Sequence, residues 1–186
     1  MGVADRRARE RTERQQRLVA AARELAERDG WAAVTTRRLA DEIEYTPPVL
    51  YQHFPDGRDG IVTAVALLGF AEFVDAVADT VAASPRPVAA LIDSYISFAQ
   101  DNPATYEAMF AMPISARFAR EETPEVMRRG FAIIVDALGP DDPDVDVRAE
   151  LLWSALHGLC ELRRRERLDP ALESARREQL AALFGA

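Results

Sequence analysis

A pairing of a capping side chain with proline recurs along this chain, at Thr46-Pro47-Pro48, Asn102-Pro103, Thr123-Pro124, Asp142-Pro143 and Asp169-Pro170. Proline in a first helical turn forfeits no bond, because the amides there have no intrahelical partner, and a short polar side chain before it can accept from an amide one turn on. Each pairing therefore predicts a helix start. Apolar residues recur at intervals of three and four, as in Leu18, Ala21, Ala22, Leu25 and Ala26, and no window alternates with a period of two. The fold class implied is all-α.

The first helix is expected over about Arg9 to Asp29, stopped by Gly30. A Trp31-Ala32-Ala33-Val34 connection leads to a short helix capped by Thr35 or Thr36, with Leu39, Ala40 and Ile43 inward. After a turn, a third helix opens at Thr46-Pro47-Pro48; a residue before proline is pushed away from helical angles, so either Pro47 or Pro48 comes first. Leu50 and Phe54 face inward with Ile43, which leaves Val49, Gln52 and His53 outward. Asp56 to Gly60 reads as a turn, Ile61 to Ala83 as a long apolar helix and Val88 to Gln100 as the next. The remaining cap-and-proline pairs divide the rest into further helices, the last two over Asp144 to Arg167 and Pro170 to Phe184.

A chain of 186 residues buries enough surface to fold without a staple, and its single cysteine, Cys160, excludes an internal disulfide and every Cys-based zinc pattern. The longest uncharged apolar stretch, Ile61 to Ala71, stops at Glu72, short of the ~20 residues a membrane crossing needs. Arg6, Arg7, Arg9, Arg11 and Arg14 leave no apolar segment of the signal-peptide kind. A reducing, cytoplasmic location without a membrane partner is expected. Charge is uneven: residues 1–60 balance 11 Arg against 11 acids, while the remainder holds the whole net charge of -8. Six Arg fall within residues 1–17, so the amino end is locally basic; a solvated helix start would explain that alone.

Three helices, the second and third short and joined by a tight turn behind a basic segment, match the plan of a helix-turn-helix DNA reader. Arg17-Leu18-Val19-Ala20-Ala21-Ala22, Gly30, Val34-Thr35-Thr36-Arg37-Arg38-Leu39-Ala40 and Thr46-Pro47-Pro48-Val49-Leu50-Tyr51-Gln52-His53-Phe54, in that order, resemble the TetR family of transcriptional regulators. The resemblance implies a DNA-binding domain over 1–60 and a helical effector-binding and dimerisation domain over 61–186. Two positions depart from the family pattern. Glu44 stands where the turn commonly has Gly, and Gly57-Arg58, with one extra residue, stands where a Lys often follows the Phe of the third helix.

Outward side chains of such a third helix divide into phosphate positioners and base readers. Thr36, Tyr51 and His53 carry a hydroxyl or ring N–H that can donate to phosphate, a role the resemblance also implies, with Arg37 and Arg58 as additions. Thr46, Pro47, Pro48 and Val49 lie at the start of the reading helix, the last three offering apolar surface suited to a thymine methyl, and Gln52 can pair bidentately with adenine. So few hydrogen bonds to bases make DNA shape matter, and the arginine arm is a candidate for a minor groove.

Further along, Leu151, Leu152, Ala155, Leu156, Leu159 and Leu162 give the penultimate helix an apolar face broader than one neighbour needs. The resemblance implies a homodimer through the last two helices, presenting two readers to a pseudo-palindromic operator in double-stranded DNA, with repression the family's usual mode. Trp153, His157 and Gly158, and the stretch Asn102 to Phe110, resemble one subgroup of the family. An effector cavity is implied among Phe73, Phe98, Tyr106, Met109, Phe110, Phe131, Trp153 and His157, for a small apolar or aromatic compound; Phe118 belongs to the same aromatic set. Such residues are more often core than pocket, and His157 is either a ligand contact or a satisfied core histidine.

Two other classes compete. A helical dimeric adaptor would keep the dimer and lose the DNA. An enzyme would have to use His157 and Cys160, three apart, with no oriented third group and no glycine-rich phosphate loop, so no catalytic residue, metal or cofactor is expected. Asp141, Asp142, Asp144 and Asp146 read as caps and a solvated turn rather than a metal site.

Overall fold

A computed structural model describes residues 2–116 and 120–185, and these are helical throughout apart from turns and connections. The helices are α1 (Val3–Asp29), α2 (Thr36–Glu42), α3 (Pro47–His53), α4 (Arg58–Ala82), α5 (Pro87–Asp101), α6 (Pro103–Phe110), α7 (Glu125–Leu138), α8 (Val145–Arg164) and α9 (Glu173–Phe184). Single 3-10 turns cover Trp31–Ala33 and Pro170–Leu172. Phe118 lies outside the described residues.

Several boundaries differ from the sequence pattern for local reasons. α1 starts at Val3, where the Asp5 carboxylate accepts from the Gly2 N–H at 3.0 Å and an Arg6–Glu10 pair spans a turn. α4 starts at Arg58, inside the expected turn. Thr35, not Thr36, caps α2, its hydroxyl accepting from the Arg38 N–H at 3.1 Å. α3 and α6 open on Pro47 and Pro103, yet Thr46 and Asn102 make no side-chain cap bond. Thr123 accepts from the Arg120 N–H instead and leaves Pro124 as the cap of α7. Asp142 accepts from the Asp144 N–H at 2.9 Å and from Arg148, which moves the cap of α8 to Asp144 and holds the Asp142 carboxyl below its usual range.

The chain divides into two compact units, Met1–Gly69 with Asn102–Arg117, and Phe70–Asp101 with Phe118–Ala186, so the compact boundary falls at Gly69 rather than Gly60. In the first unit α1 packs on α2, α6 and the Trp31 turn, and α2 packs on α3, around the fully buried Leu18, Leu25, Leu39, Leu50 and Ile61. α6 joins this unit through polar bonds as well as packing. The Glu27 carboxylate accepts from the Ala104 N–H (2.9 Å), the Thr105 N–H (2.8 Å) and the Thr105 hydroxyl (2.7 Å), capping α6 from a neighbouring helix. The Trp31 indole N–H donates to the Ala104 carbonyl at 2.7 Å, and Arg23 donates to the Asn102 side-chain oxygen at 2.6 Å.

In the second unit α5 packs on α7, α8 and α9, and α7 on α8. Arg148 ties the start of α8 to the end of α9 through the Phe184 carbonyl at 2.9 Å, and Arg177 of α9 bridges Glu173 and Asp93. α4 gives its first half to one unit and its second half to the other. By length and composition alone α4 is apolar enough to cross a membrane, a point the run ending at Glu72 did not expose. Half of its most apolar stretch is buried, however, and Glu72, Asp75 and Asp79 line its second half, as in a core helix.

The turn between α2 and α3 closes without glycine. Glu44 takes a left-handed φ of 55°, so that the Tyr45 N–H reaches the Ala40 carbonyl at 2.9 Å and the Glu44 N–H reaches Asp41. This is the closure a glycine makes, built by an L-residue that carries a steric cost of roughly 1–2 kcal/mol. Glu44→Gly is therefore expected to raise the unfolding free energy by about 1 kcal/mol, a gain of ~2–4 °C in thermal midpoint. A lower midpoint would mean that the carboxylate itself holds the turn.

Candidate nucleic-acid interface

Leu50 and Phe54, at 1% and 4% exposure, fix the inner face of α3 and thereby decide what its outer face shows. Thr46, Pro47, Pro48, Tyr51 and Gln52 are exposed, Val49 and His53 half-buried, and on α2 Arg37 is exposed with Thr36 half-buried. Tyr51 remains 50% exposed although its ring is held from below. Gly57 lies beneath it: a Cβ there would make ordinary contacts, 3.5 Å from Tyr51 Cε1 and 4.0 Å from Thr36 Cγ2, so it is the left-handed φ of 59° that calls for glycine. Gly57 thus lies next to both the Tyr51 ring and the Thr36 methyl.

His53 sits in a different setting. Its Nδ1 is buried without a hydrogen-bond partner, and burial together with the positive charges of Arg11 and Arg14 holds its pKa below the ordinary histidine value. The unfolded chain, with a pKa of ~6.5, takes up the proton more readily. This contribution to stability is intact above that pH and declines as pH falls toward the lower folded value. His53→Gln should flatten that part of a curve of unfolding free energy against pH between 7 and 5; an unchanged slope would show that other groups set it.

Arg58 serves a purpose the sequence did not reveal. Its guanidinium donates to the Val34 carbonyl at 3.2 Å and the Trp31 carbonyl at 3.0 Å, so it ties the start of α4 to the Trp31 turn instead of extending toward a phosphate. Arg11, absent from the expected set, donates to the Gln52 carbonyl at 3.3 Å, at the carboxyl end of α3. The basic segment expected as an arm is helix from Val3 onward. A helix 10–12 Å across is itself wider than a minor groove of ~6 Å.

The eight residues expected around an effector fall in both units. Phe73 meets Phe98 and Tyr95 edge-on at 5.4 and 5.5 Å, and Phe131 meets Trp153 edge-on at 6.5 Å, all within the second unit. Tyr106 meets Phe110 at a tilt of 52° with ring centroids 4.8 Å apart, next to buried Met109, in the unit that holds the reader. His157 is half-buried on α8. A small pocket of about 20 Å³ is lined by Ile96, Leu159, Cys160, Arg163, Leu168, Glu173, Arg176 and Arg177, and by none of the eight. It has room for little more than one water.

Comparison with known proteins agrees with this geometry. Residues 18–65 match the family described as bacterial regulatory proteins, tetR family, and residues 88–184 match the tetracyclin repressor-like C-terminal domain. The chain is 33% identical over 96 residues to the uncharacterized HTH-type transcriptional regulator YobS of Bacillus subtilis, covering 50% of each chain. It is 28% identical over 149 residues to the uncharacterized HTH-type transcriptional regulator Rv0681 of Mycobacterium tuberculosis, covering 76% of this chain and 66% of the relative. The matches thus span between half and two thirds of the length of these relatives. Two solved structures share the fold at a TM-score of 0.69: a TetR-family transcriptional regulator from Streptomyces coelicolor, at 18% identity over 94% of this chain and 97% of that one, and the Bacillus subtilis regulator FadR in complex with stearoyl-CoA, at 12% identity over 92% and 97%. A helix-turn-helix held open to solvent at one end and a matching helical body over the second half lead to one conclusion: the chain belongs to the tetR family of bacterial regulatory proteins.

Proposed function

We propose that this protein is a sequence-specific regulator of transcription that binds a pseudo-palindromic operator in double-stranded DNA as a homodimer, acts as a repressor in the cytoplasm, and releases DNA on binding a small apolar or aromatic effector. The observation that carries the reading is the outer face of α3. Its inner residues are fully buried, while Pro47, Pro48, Tyr51 and Gln52 stand out from a short helix that is the right length for a major groove. Residues 1–60 would read DNA, and residues 61–186 would bind the effector and dimerise.

Exposed apolar bulk supports the dimer. Among the described residues, the large hydrophobic ones left exposed are Tyr51 in the reader and Val147, Leu151, Leu162, Leu172 and Leu183 in α8, α9 and the turn before α9. A second copy of the same two helices would cover the latter five as a four-helix interface. An apolar effector suits the aromatic clusters of the second unit, and a protein of this fold has been solved with stearoyl-CoA bound. α4 runs unbroken from one unit into the other, so a ligand that binds better to one setting of that helix would shift the reader through that difference in affinity.

Selection of bound fragments from random duplex DNA, followed by gel-shift titration, tests this. The wild type should recover a two-half-site sequence, and Tyr51→Ala and Gln52→Ala should each weaken binding by roughly 10- to 100-fold, the range for losing a phosphate or base contact in both half-sites. If no duplex is recovered, or neither substitution matters, the helical-adaptor reading takes its place.

A further inference from the structure

We infer that the amino-terminal half of α1 is a rigid arginine rail that grips the DNA sugar-phosphate backbone beside each half-site. The inference rests on the DNA-reading function proposed above and adds a second contact surface to it. From Asp5 to Arg17 every side chain of α1 is exposed except half-buried Arg14; the first buried residue is Leu18. Roughly 20 Å of helix therefore stands clear of the core, at 1.5 Å per residue. Ala8 is the one apolar residue along it, too small to reward packing against another protein surface, whereas arginine is abundant.

Those arginines are ordered by the helix. Arg7, Arg11 and Arg14 follow at intervals of four and three, and the same line continues into Leu18 and Leu25, both fully buried. The three charges thus lie on the face of α1 that, one turn later, packs into the reader. Asp5 and Glu13 fall on other faces, while Glu10, three residues after Arg7 and four before Arg14, flanks the row and pairs with Arg6 on its outer side. Contacts fix which side of the reader the line approaches. Arg11 touches the Gln52 carbonyl at 3.3 Å, and Arg11 and Arg14 are the charges acting on His53, so the row adjoins the carboxyl end of α3 next to Tyr51 and Gln52.

A row of three guanidinium groups, with the flanking Glu10 engaged by Arg6, matches a row of phosphates, which guanidinium binds bidentately. The helix is too thick for a minor groove, so its contacts are to the backbone and carry no base information. The rail should raise affinity and salt sensitivity while leaving the preferred sequence alone.

The test uses the full chain and the duplex recovered by selection, with binding measured against salt concentration. In Arg7→Gln/Arg11→Gln/Arg14→Gln, six charges per dimer are lost, and the slope of log affinity against log salt should fall by roughly 5, at about 0.9 per phosphate contact. Arg7→Gln alone should reduce it by about 2, and Arg6→Gln/Arg9→Gln, on other faces, by less than 1. Glutamine keeps the helix, which circular dichroism would verify, and the selected sequence should stay the same. A triple variant whose slope equals that of the wild type or of the Arg6/Arg9 control overturns the rail alone, as does a change in the preferred sequence. A wild-type chain that binds no duplex overturns the rail together with the reading on which it rests.

Discussion

Glu27→Ala is expected to cost about 3 kcal/mol of unfolding free energy and to lower the thermal midpoint by roughly 6–12 °C. One carboxylate on α1 accepts three bonds from the first turn of α6, two from main-chain amides that have no partner within their own helix. Hydrogen bonds to a charged acceptor contribute roughly 1.5–3 kcal/mol each and do not add when they share that acceptor. Alanine also leaves the Ala104 and Thr105 amides unsatisfied. Glu27→Gln, which keeps one acceptor oxygen, should lose about half as much. Thermal and denaturant unfolding would measure both, and Trp31 fluorescence gives a local signal because its indole bonds the Ala104 carbonyl. A loss below 1 kcal/mol for the alanine variant would mean that α6 is held by packing alone.

The second large effect is steric. At Gly69, α4 comes so close to α6 that a Cβ would lie 2.5 Å from Thr105 Cγ2 and 2.8 Å from Met109 Sδ. Met109 can swing aside, but Thr105 is fully buried and its hydroxyl is fixed on Glu27. Gly69→Val should therefore cost about 3 kcal/mol, the upper end of what overpacking a core entails, and Gly69→Ala about 1–2 kcal/mol after allowing for the helix propensity it gains. Thr105→Ser removes the offending methyl and keeps the hydroxyl. In that background Gly69→Ala should become neutral or stabilising by up to about 1 kcal/mol, and a double-mutant cycle would report the coupling. Additive effects in the cycle would show that the clash is relieved by a shift of the helices.

The reading helix was legible in the sequence because its information is local. The four-residue interval of Leu50 and Phe54, and the proline that opens α3, are periodic and capping signals; the burial of Leu50 and Phe54 and the exposure of Gln52 follow from them, whereas Ile43, Val49 and His53 are half-buried, between the inward and outward sets. What depended on distant partners was hidden. Arg58 looked like a phosphate contact because its charge is visible in the chain, whereas the carbonyls of Trp31 and Val34 that occupy it are a matter of folding. The bond from Glu27 to Thr105 joins residues 78 positions apart and leaves no pattern in either segment. Glu44 concealed its own role, since the usual sign of a left-handed turn is a glycine and none is there. Arg11 lay within reach of the sequence: it shares a face with Leu18, and a search for charge along the extended core face would have found it.

The unit that holds the reader is discontinuous in the chain, leaving at Gly69 and returning at Asn102. Anyone building chimeras by transplanting the first 69 residues onto a foreign sensor would carry across a carboxylate and an indole whose counterparts stayed behind with α6. The recipient would need that eight-residue helix grafted with them, entered at the same angle, or the transplanted reader would arrive with its own foundation missing.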